Sequence, residues 1–364
     1  MAGKIHTILK QYDQHPKQHH LIGLGLQLLA VTHPDYALLL RHRYIDQLPH
    51  GILSNANNLS EARLYDRLAS AATRLDIIIN NLDTPYYHTL SKLPRPNLVG
   101  IETHSKQLAK AIGRTDHFLV VTGLSGSGKT ALIQHTLHHI DLIRYFDRLI
   151  YIDLKKQNLR LNDLTELRKW NTLIVIDQVD LPIAKMIQEL AYATLNPSKL
   201  IFISQQWLPG IHRWVMPELS KDDALSLLES LINTHQGQIS PTDPGKIYRH
   251  VGGHPAALHY LAERAYLIST DMALAELEQP THPLYQRVYN LSLSPMAKAV
   301  LFALSHFDGT ADLEALKYAV GLAQNDFLDT IYELVHQSLI RVSGTLSERL
   351  YQLDPLTRSY LRTM

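Results

Sequence analysis

Apolar residues recur every three to four positions through Leu21 to Ala30, Tyr36 to Tyr44 and Glu61 to Ile79, the period of helices that bury one face. Residues 1–93 therefore read as a helical module. Leu93-Pro94-Arg95-Pro96 ends that pattern and marks a domain boundary, because proline removes a backbone donor and drives the residue before it out of helical dihedrals. From Phe118 the period changes. Short runs, Phe118 to Thr122, Leu149 to Leu154, Leu173 to Ile176 and Leu200 to Ser204, alternate with helical stretches and predict a parallel sheet covered by helices. Beyond Trp214 the pattern predicts no further buried strand. Helical spacing returns in Leu219 to Ile232, Ala256 to Ile268 and Pro295 to Phe307. The end of the chain reads as three helices and a hairpin, Leu339 to Ser343 with Arg349 to Leu353.

At about 150 residues per domain, 364 residues predict two or three domains. Thirty-five Lys+Arg against 34 Asp+Glu leave a net charge of +1, so the whole chain lacks the excess of a protein that coats nucleic acid or anionic membrane. The absence of cysteine excludes disulfides, thiolate metal sites and cysteine nucleophiles, and fits a reducing compartment, with the cytoplasm the expected location. The apolar stretch Leu21 to Val31 is too short for a membrane helix, so no membrane partner is expected. Of 21 histidines, His135 and His139 share a helical face, but no HExxH pattern or third acidic ligand accompanies them, and they read as compositional.

Gly123-Leu124-Ser125-Gly126-Ser127-Gly128-Lys129-Thr130 satisfies G-x-x-x-x-G-K-[ST], and it stands between a predicted strand and a predicted helix. The glycines let consecutive N–H groups surround phosphates at the positive end of the helix, which is expected to begin at Ala131. Lys129 is placed to reach the β- and γ-phosphates, and Thr130 to ligate Mg2+. Leu173-Ile174-Val175-Ile176 ends in Asp177, apolar on both faces as an interior parallel strand must be, and Asp177 is the candidate Mg2+-side carboxylate. Asp180 reads equally as a second acid or as a helix N-cap. ATP or ADP with Mg2+ is thus the expected cofactor, on an α/β P-loop core with an N-terminal all-α module.

Taken in order, residues 97–364 resemble the nucleotide-binding core of the STAND signalling ATPases, specifically the NB-ARC type. Leu98-Val99-Gly100-Ile101-Glu102 looks like the segment that lies against the adenine. Leu200 to Gln206 is similar to the sensor strand. Met216-Pro217-Glu218-Leu219-Ser220 resembles the start of the helical subdomain, and Gly252-Gly253-His254-Pro255-Ala256-Ala257-Leu258 the Gly-x-Pro motif, whose proline packs near the nucleotide. Leu350 to Leu361 resembles the winged-helix signature. The resemblance implies a nucleotide-binding domain over 97–214, a helical subdomain over 215–290 and a winged-helix subdomain over 291–364. It also implies a nucleotide site of Val99, Gly123, Ser125, Gly126, Ser127, Gly128, Lys129, Thr130 and Pro255. Several positions depart from the family pattern. Gln178 replaces a second acid, and an amide can orient water without accepting its proton. Ser204-Gln205-Gln206 replaces an arginine, Asp354 replaces a histidine, and Ile101 replaces an arginine. Nucleotide binding is therefore expected ahead of efficient hydrolysis, with Gln178 the candidate for positioning water and Gln205 and Asp354 at the sensing positions.

Residues 36–79 resemble the helix-turn-helix of bacterial sigma factors through Leu38 to Leu48 and Asn58 to Leu68. Ser60 would cap the second helix, with Leu64, Leu68, Ala71 and Leu75 on a buried face and Arg63, Arg67 and Arg74 as DNA-contact candidates. Against DNA stand Glu61 and Asp66 on that helix, Gly51 in the preceding one, Asn57 where an apolar residue usually packs, and a net charge of only +3 over residues 1–95. Two functions follow. One is a nucleotide-controlled regulator that self-associates, as a homo-oligomer, in one nucleotide state and binds DNA. The other is a signalling or defence scaffold whose helical module recruits a protein partner or a separate sensor chain.

Overall fold

The computed structural model describes residues 9, 19–82, 84–96, 98–114, 117–156, 171–180, 198–234, 244–279, 281–285, 293–307, 309–321, 324–345 and 348–363. Two compact units result, one of Met1–Leu93 with Ile140–Leu149, the other of Pro94–His139 with Ile150–Met364.

In the first unit helices His19–Thr32, Pro34–Leu40, His50–Ala56 and Glu61–Leu82 surround an aliphatic core, and helix Pro85–Leu90 follows them in the chain. Leu64, Leu68, Ala71 and Leu75 lie on the buried face of Glu61–Leu82, as the spacing predicts. The helix expected over Tyr36 to Tyr44 differs. Its α-helical part ends at Leu40 and the chain continues as a π-helical turn, Arg41–Ile45, after which Gln47 takes a left-handed backbone at φ 55. Periodicity alone does not separate α from π over five residues. Ser60 Oγ accepts from the Arg63 N–H at 3.4 Å. Asn57, expected to fail as a packing residue, is exposed at the end of His50–Ala56, and its side-chain amide donates to Leu53 O at 2.8 Å, supplying a donor to a terminal helix carbonyl.

A five-stranded sheet is formed by β1 (Phe118–Thr122), β2 (Arg148–Asp153, which belongs to the second unit from Ile150), β3 (Thr172–Asp177), β4 (Lys199–Ser204) and β5 (His212–Val215), in the order β2-β3-β4-β1-β5. The pairings of β3 with β4, β4 with β1 and β1 with β5 are parallel, with Ile174 opposite Leu200 and Val120 opposite Phe202. Every residue of β1, β3 and β4 is buried, which explains why these strands read as unbroken apolar runs. The expectation of four strands is corrected by β5, a half-exposed edge strand reading His-Arg-Trp-Val, whose polar composition carries no run signal. The order places β4 between the strand that ends in the glycine loop and the strand that ends in Asp177.

The remaining described helices of this unit include Glu102–Arg114 and Lys129–Thr136 on the sheet. After the sheet come Lys221–Thr234, Pro244–Val251, Pro255–Arg264 and Thr270–Leu277, then Pro295–Ser305, Leu313–Val320, Gln324–His336 and Pro355–Arg362. Three of these begin Pro at the first turn behind a side-chain cap, His254, Ser294 and Asp354, a combination that sets a helix start sharply. A small antiparallel sheet, β6 (Thr310–Asp312), β8 (Arg349–Gln352) and β7 (Arg341–Gly344) in that order, completes the C-terminal part. The three-residue β6 is a second strand that run length does not reveal. Among the described residues no helix is long and apolar enough to cross a membrane.

The two faces of Glu61–Leu82 give a direct test. Leu68, 2% exposed, replaced by alanine should cost about 2–5 kcal/mol of unfolding free energy in a denaturant titration. Ile77→Ser, at a 57% exposed position, should stay within about 0.5 kcal/mol.

Candidate functional site

The glycine-rich loop leaves β1 at the C-terminal edge of the sheet. Gly126 and Gly128 take φ of +80 and +93, conformations a side chain resists. Gly128 precedes the first residue of helix Lys129–Thr136, so the helix starts two residues before the predicted Ala131 and carries Lys129 and Thr130 in its first turn. The expectation erred because the sequence shows the last glycine but not how soon helical dihedrals resume after it. Lys129 Nζ donates to Gly123 O at 2.8 Å and Leu124 O at 2.7 Å, turning the ammonium onto the loop's own carbonyls. Burial pushes its pKa down to about 8, against the opposing pull of Asp177.

Asp177, 2% exposed, ends β3 beside that helix. Its Oδ2 accepts from the Thr130 hydroxyl at 2.8 Å and the Tyr151 hydroxyl at 2.9 Å, and its Oδ1 from the Gln178 backbone N–H at 2.8 Å. The Gln178 side-chain amide also donates to Oδ1, at 3.3 Å, from a residue whose φ of +64 is unusual for anything but glycine. Asp180 is described, but the segment it would cap lies outside the described residues.

The opposite side of the loop is held by the segment Gly252 to Leu258. His254 Nδ1 accepts from Ala257 N–H, so the ring proton sits on Nε2 and donates to Ser125 O at 3.0 Å. Burial lowers the His254 pKa, with Asp354 opposing, which favours this neutral tautomer. Ala256 N–H donates to Gly126 O at 3.2 Å. Leu124, inside the loop, packs into the C-terminal core with Leu301, Leu304 and Phe327.

A cavity of about 1250 Å3 opens on the loop, and Val99, Ser125 to Thr130, Asp177, Gln178, Gln205 and Pro255 all line it. Ile101 lines it too and is 4% exposed, so an arginine there would meet apolar packing. Asp354 lies elsewhere. With Gly123, Ser127 and His254 it lines a cavity of about 40 Å3, and its carboxylate caps helix Pro355–Arg362 by accepting from Thr357 N–H at 3.0 Å and from the Thr357 hydroxyl. Arg358 donates to Gly309 O at 3.0 Å. Among the DNA-contact candidates, Arg63 is exposed. Arg67 pairs with Asp35 at 2.5 Å, Arg74 bonds His33 at 2.6 Å, and both guanidinium groups lie over the Tyr36 ring. His135 sits 3.7 Å from Glu102, and among the described residues no group of three His, Cys, Asp or Glu could hold a metal.

Three residues in these networks escape sequence reading. Tyr151 is a strand residue with no motif. His254 stands inside a quoted motif, and its position before a helical proline was the available signal. Arg213, on β5, donates to the Thr122 hydroxyl at 2.8 Å and to Ser338 Oγ at 3.1 Å, placing a half-buried cation beside the small cavity. Together the donor set fits a polyphosphate with a divalent cation. Among the described residues Ser127 Oγ is buried without a hydrogen-bond partner, Lys129 is dehydrated, and a hydroxyl and a carboxylate meet at the start of a helix.

Comparison with known proteins agrees at the level of fold. No family profile and no curated protein matches the sequence. The chain is similar in structure to the Walker-type ATPase of Pyrococcus abyssi, 14% identical over 75% of this chain and 99% of that one, with a TM-score of 0.52. Similarity also extends to a STAND protein with a tetratricopeptide-repeat sensor from Pyrococcus horikoshii, 17% identical over 74% of this chain and 43% of that one, TM-score 0.33. The RuvB Holliday junction branch migration motor of Thermotoga maritima matches at 17% over 70% and 94%, TM-score 0.35. The last two scores are too low to bear on the assignment. The fold is that of an α/β P-loop NTPase core.

The close approach of the two segments predicts a cost at Gly126. A Cβ there would stand 2.7 Å from the Ala256 Cβ and 3.0 Å from the His254 ring, on a backbone that disfavours it. Gly126→Ala should lower unfolding free energy by about 1–3 kcal/mol in denaturant.

Proposed function

We propose that the chain is a nucleotide-controlled molecular switch of the STAND, NB-ARC type, which binds ADP or ATP with Mg2+ and hydrolyses ATP slowly if at all. One observation carries this reading. The glycine loop is tied through Ser125 and Gly126 to the segment around His254, and through Leu124 to the C-terminal core. A phosphate that draws Lys129 off the carbonyls of Gly123 and Leu124 acts on a loop whose other bonds belong to those two parts. Residues 97–214 serve as the nucleotide-binding domain, 215–290 as the helical subdomain and 291–364 as the winged-helix subdomain. Lys129, with Gly123, Ser125, Gly126, Ser127 and Gly128, holds the phosphates, Val99 and Pro255 flank the nucleotide, and Thr130 and Asp177 hold the Mg2+. Gln178, an amide in place of an acid, orients water without deprotonating it, and Gln205 carries no charge to stabilise the transition state. Magnesium, when bound, supplies charge neutralisation between the phosphates.

A switch requires differential affinity: moving a population from 1:99 to 99:1 takes roughly 10^4-fold preference of the ligand for one state. ADP and ATP titrated calorimetrically, with the oligomeric state followed by light scattering, should differ in affinity or in the assembly they produce. Equal affinities with an unchanged molecular mass would remove the switch. Lys129→Ala should abolish binding of either nucleotide.

The N-terminal unit has two readings. It contacts DNA through Arg63, Arg67 and Arg74, or it recruits a protein partner. The engagement of Arg67 with Asp35 and of Arg74 with His33 favours the protein partner, since both contacts must break before a phosphate is reached. A salt-dependent DNA mobility shift lost in Arg63→Ala/Arg67→Ala would decide for DNA.

The Lys129 pKa of about 8 gives a pH signature. A bound polyphosphate raises that pKa, so the complex holds more protons than the free protein above pH 8. The Lys129 contribution to affinity should be flat from about a unit below pH 8 downward and be lost as pH rises through 8 and beyond, by at most tenfold per unit. Calorimetry at pH 9 in two buffers of different ionisation enthalpy should register uptake of up to one proton per nucleotide. Zero uptake would show that Lys129 does not change protonation when nucleotide binds, which removes this pH signature.

A further inference from the structure

Asp177 Oδ2 has two hydroxyl donors, Thr130 from the helix after the glycine loop and Tyr151 from β2. A threonine hydroxyl has one proton and two lone pairs. Because its proton is committed to Asp177, the Thr130 oxygen keeps its lone pairs for a hard cation. That commitment depends on the carboxylate's orientation. On one side Oδ1 is held by Gln178, through its backbone and its side-chain amide. On the other, the rotation that would carry Oδ2 away from Thr130 is opposed by the Tyr151 hydroxyl at 2.9 Å.

We propose that Tyr151 is a positioning residue for the metal side of the phosphate site: by fixing the Asp177 carboxylate it keeps the Thr130 oxygen available to the cation of a metal–nucleotide complex. The inference rests on the nucleotide reading above and adds to it a residue that touches neither phosphate nor metal. Partners one bond removed from a metal ligand commonly change metal affinity by roughly 10–100-fold when removed. Tyrosine to phenylalanine removes the one oxygen and keeps the ring.

The test separates metal from nucleotide. With Mn2+ as a paramagnetic probe, Tyr151→Phe should bind ADP in EDTA within about twofold of the parent, because the glycine loop and Lys129 are untouched, while its Mn2+ affinity in the presence of ADP falls roughly 10–100-fold. The fall should vanish when the same change is made in Asp177→Asn. Unchanged Mn2+ affinity overturns the proposal. So does an equal loss of metal-free ADP binding, or a fall that persists beside Asp177→Asn. Should the variant not fold, 3-fluorotyrosine placed at position 151 reports from the folded protein. Its fluorine resonance should move when Mg2+ is added to the ADP complex, and a resonance blind to Mg2+ overturns the proposal. A parent that binds no nucleotide removes the switch and this inference together, whereas one that binds nucleotide with metal but ignores Tyr151→Phe removes this inference alone.

Discussion

A carboxylate at 2% exposure in an apolar setting must be supplied with donors, and Asp177 receives them from three places in the chain. Thr130 comes from the helix after β1, Tyr151 from β2, and Gln178 from the residue that follows. Hydrogen bonds to a charged group contribute about 1.5–3 kcal/mol each, and a buried charge left short of them is strongly destabilising. The requirement therefore registers the glycine-loop helix against β2 and β3, although β4 separates the loop strand from β3. It also accounts for the left-handed backbone of Gln178, whose N–H and side-chain amide both turn toward the carboxylate.

The glycine loop meets the opposite condition, an excess of carbonyls. Gly123 and Leu124 give theirs to Lys129, Ser125 gives its to His254, and Gly126 to Ala256 N–H. With the carbonyls engaged in this way, the loop's polar groups are shared between the helix that follows it and the segment around His254. The lysine is the member with an alternative partner. Dehydrated and lowered in pKa, it holds carbonyl oxygens, and under the proposed function a phosphate competes with them for the ammonium.

How legible these features were depended on how local their cause was. The strands β1, β3 and β4 could be read because burial on both faces leaves an uninterrupted apolar run. Edge strand β5 and three-residue β6 could not, since pairing with a neighbour rather than composition makes them strands. The buried face Leu64, Leu68, Ala71 and Leu75 followed from spacing. The π-turn at Arg41–Ile45 did not, because helical types differ by a hydrogen-bond step that residue identities scarcely encode. Asp354 stood at a sensing position in the linear pattern, and in three dimensions its carboxylate is occupied as a helix cap.

By itself the sequence determined the glycine loop between strand and helix, the carboxylate at the end of an interior strand, the alternation that makes a covered parallel sheet, and the helical character of both ends. Each depends on residue type and short spacing, which a linear pattern carries in full. Only the tertiary structure decided that Tyr151 shares Asp177 with Thr130, that His254 reaches the loop at Ser125, that Arg213 sits behind β1, and that Arg67 and Arg74 are folded over Tyr36. These are contacts between residues 26 to 129 positions apart, or between side chains with a choice of partners. Such choices are settled by which surfaces pack together, and no local pattern records that.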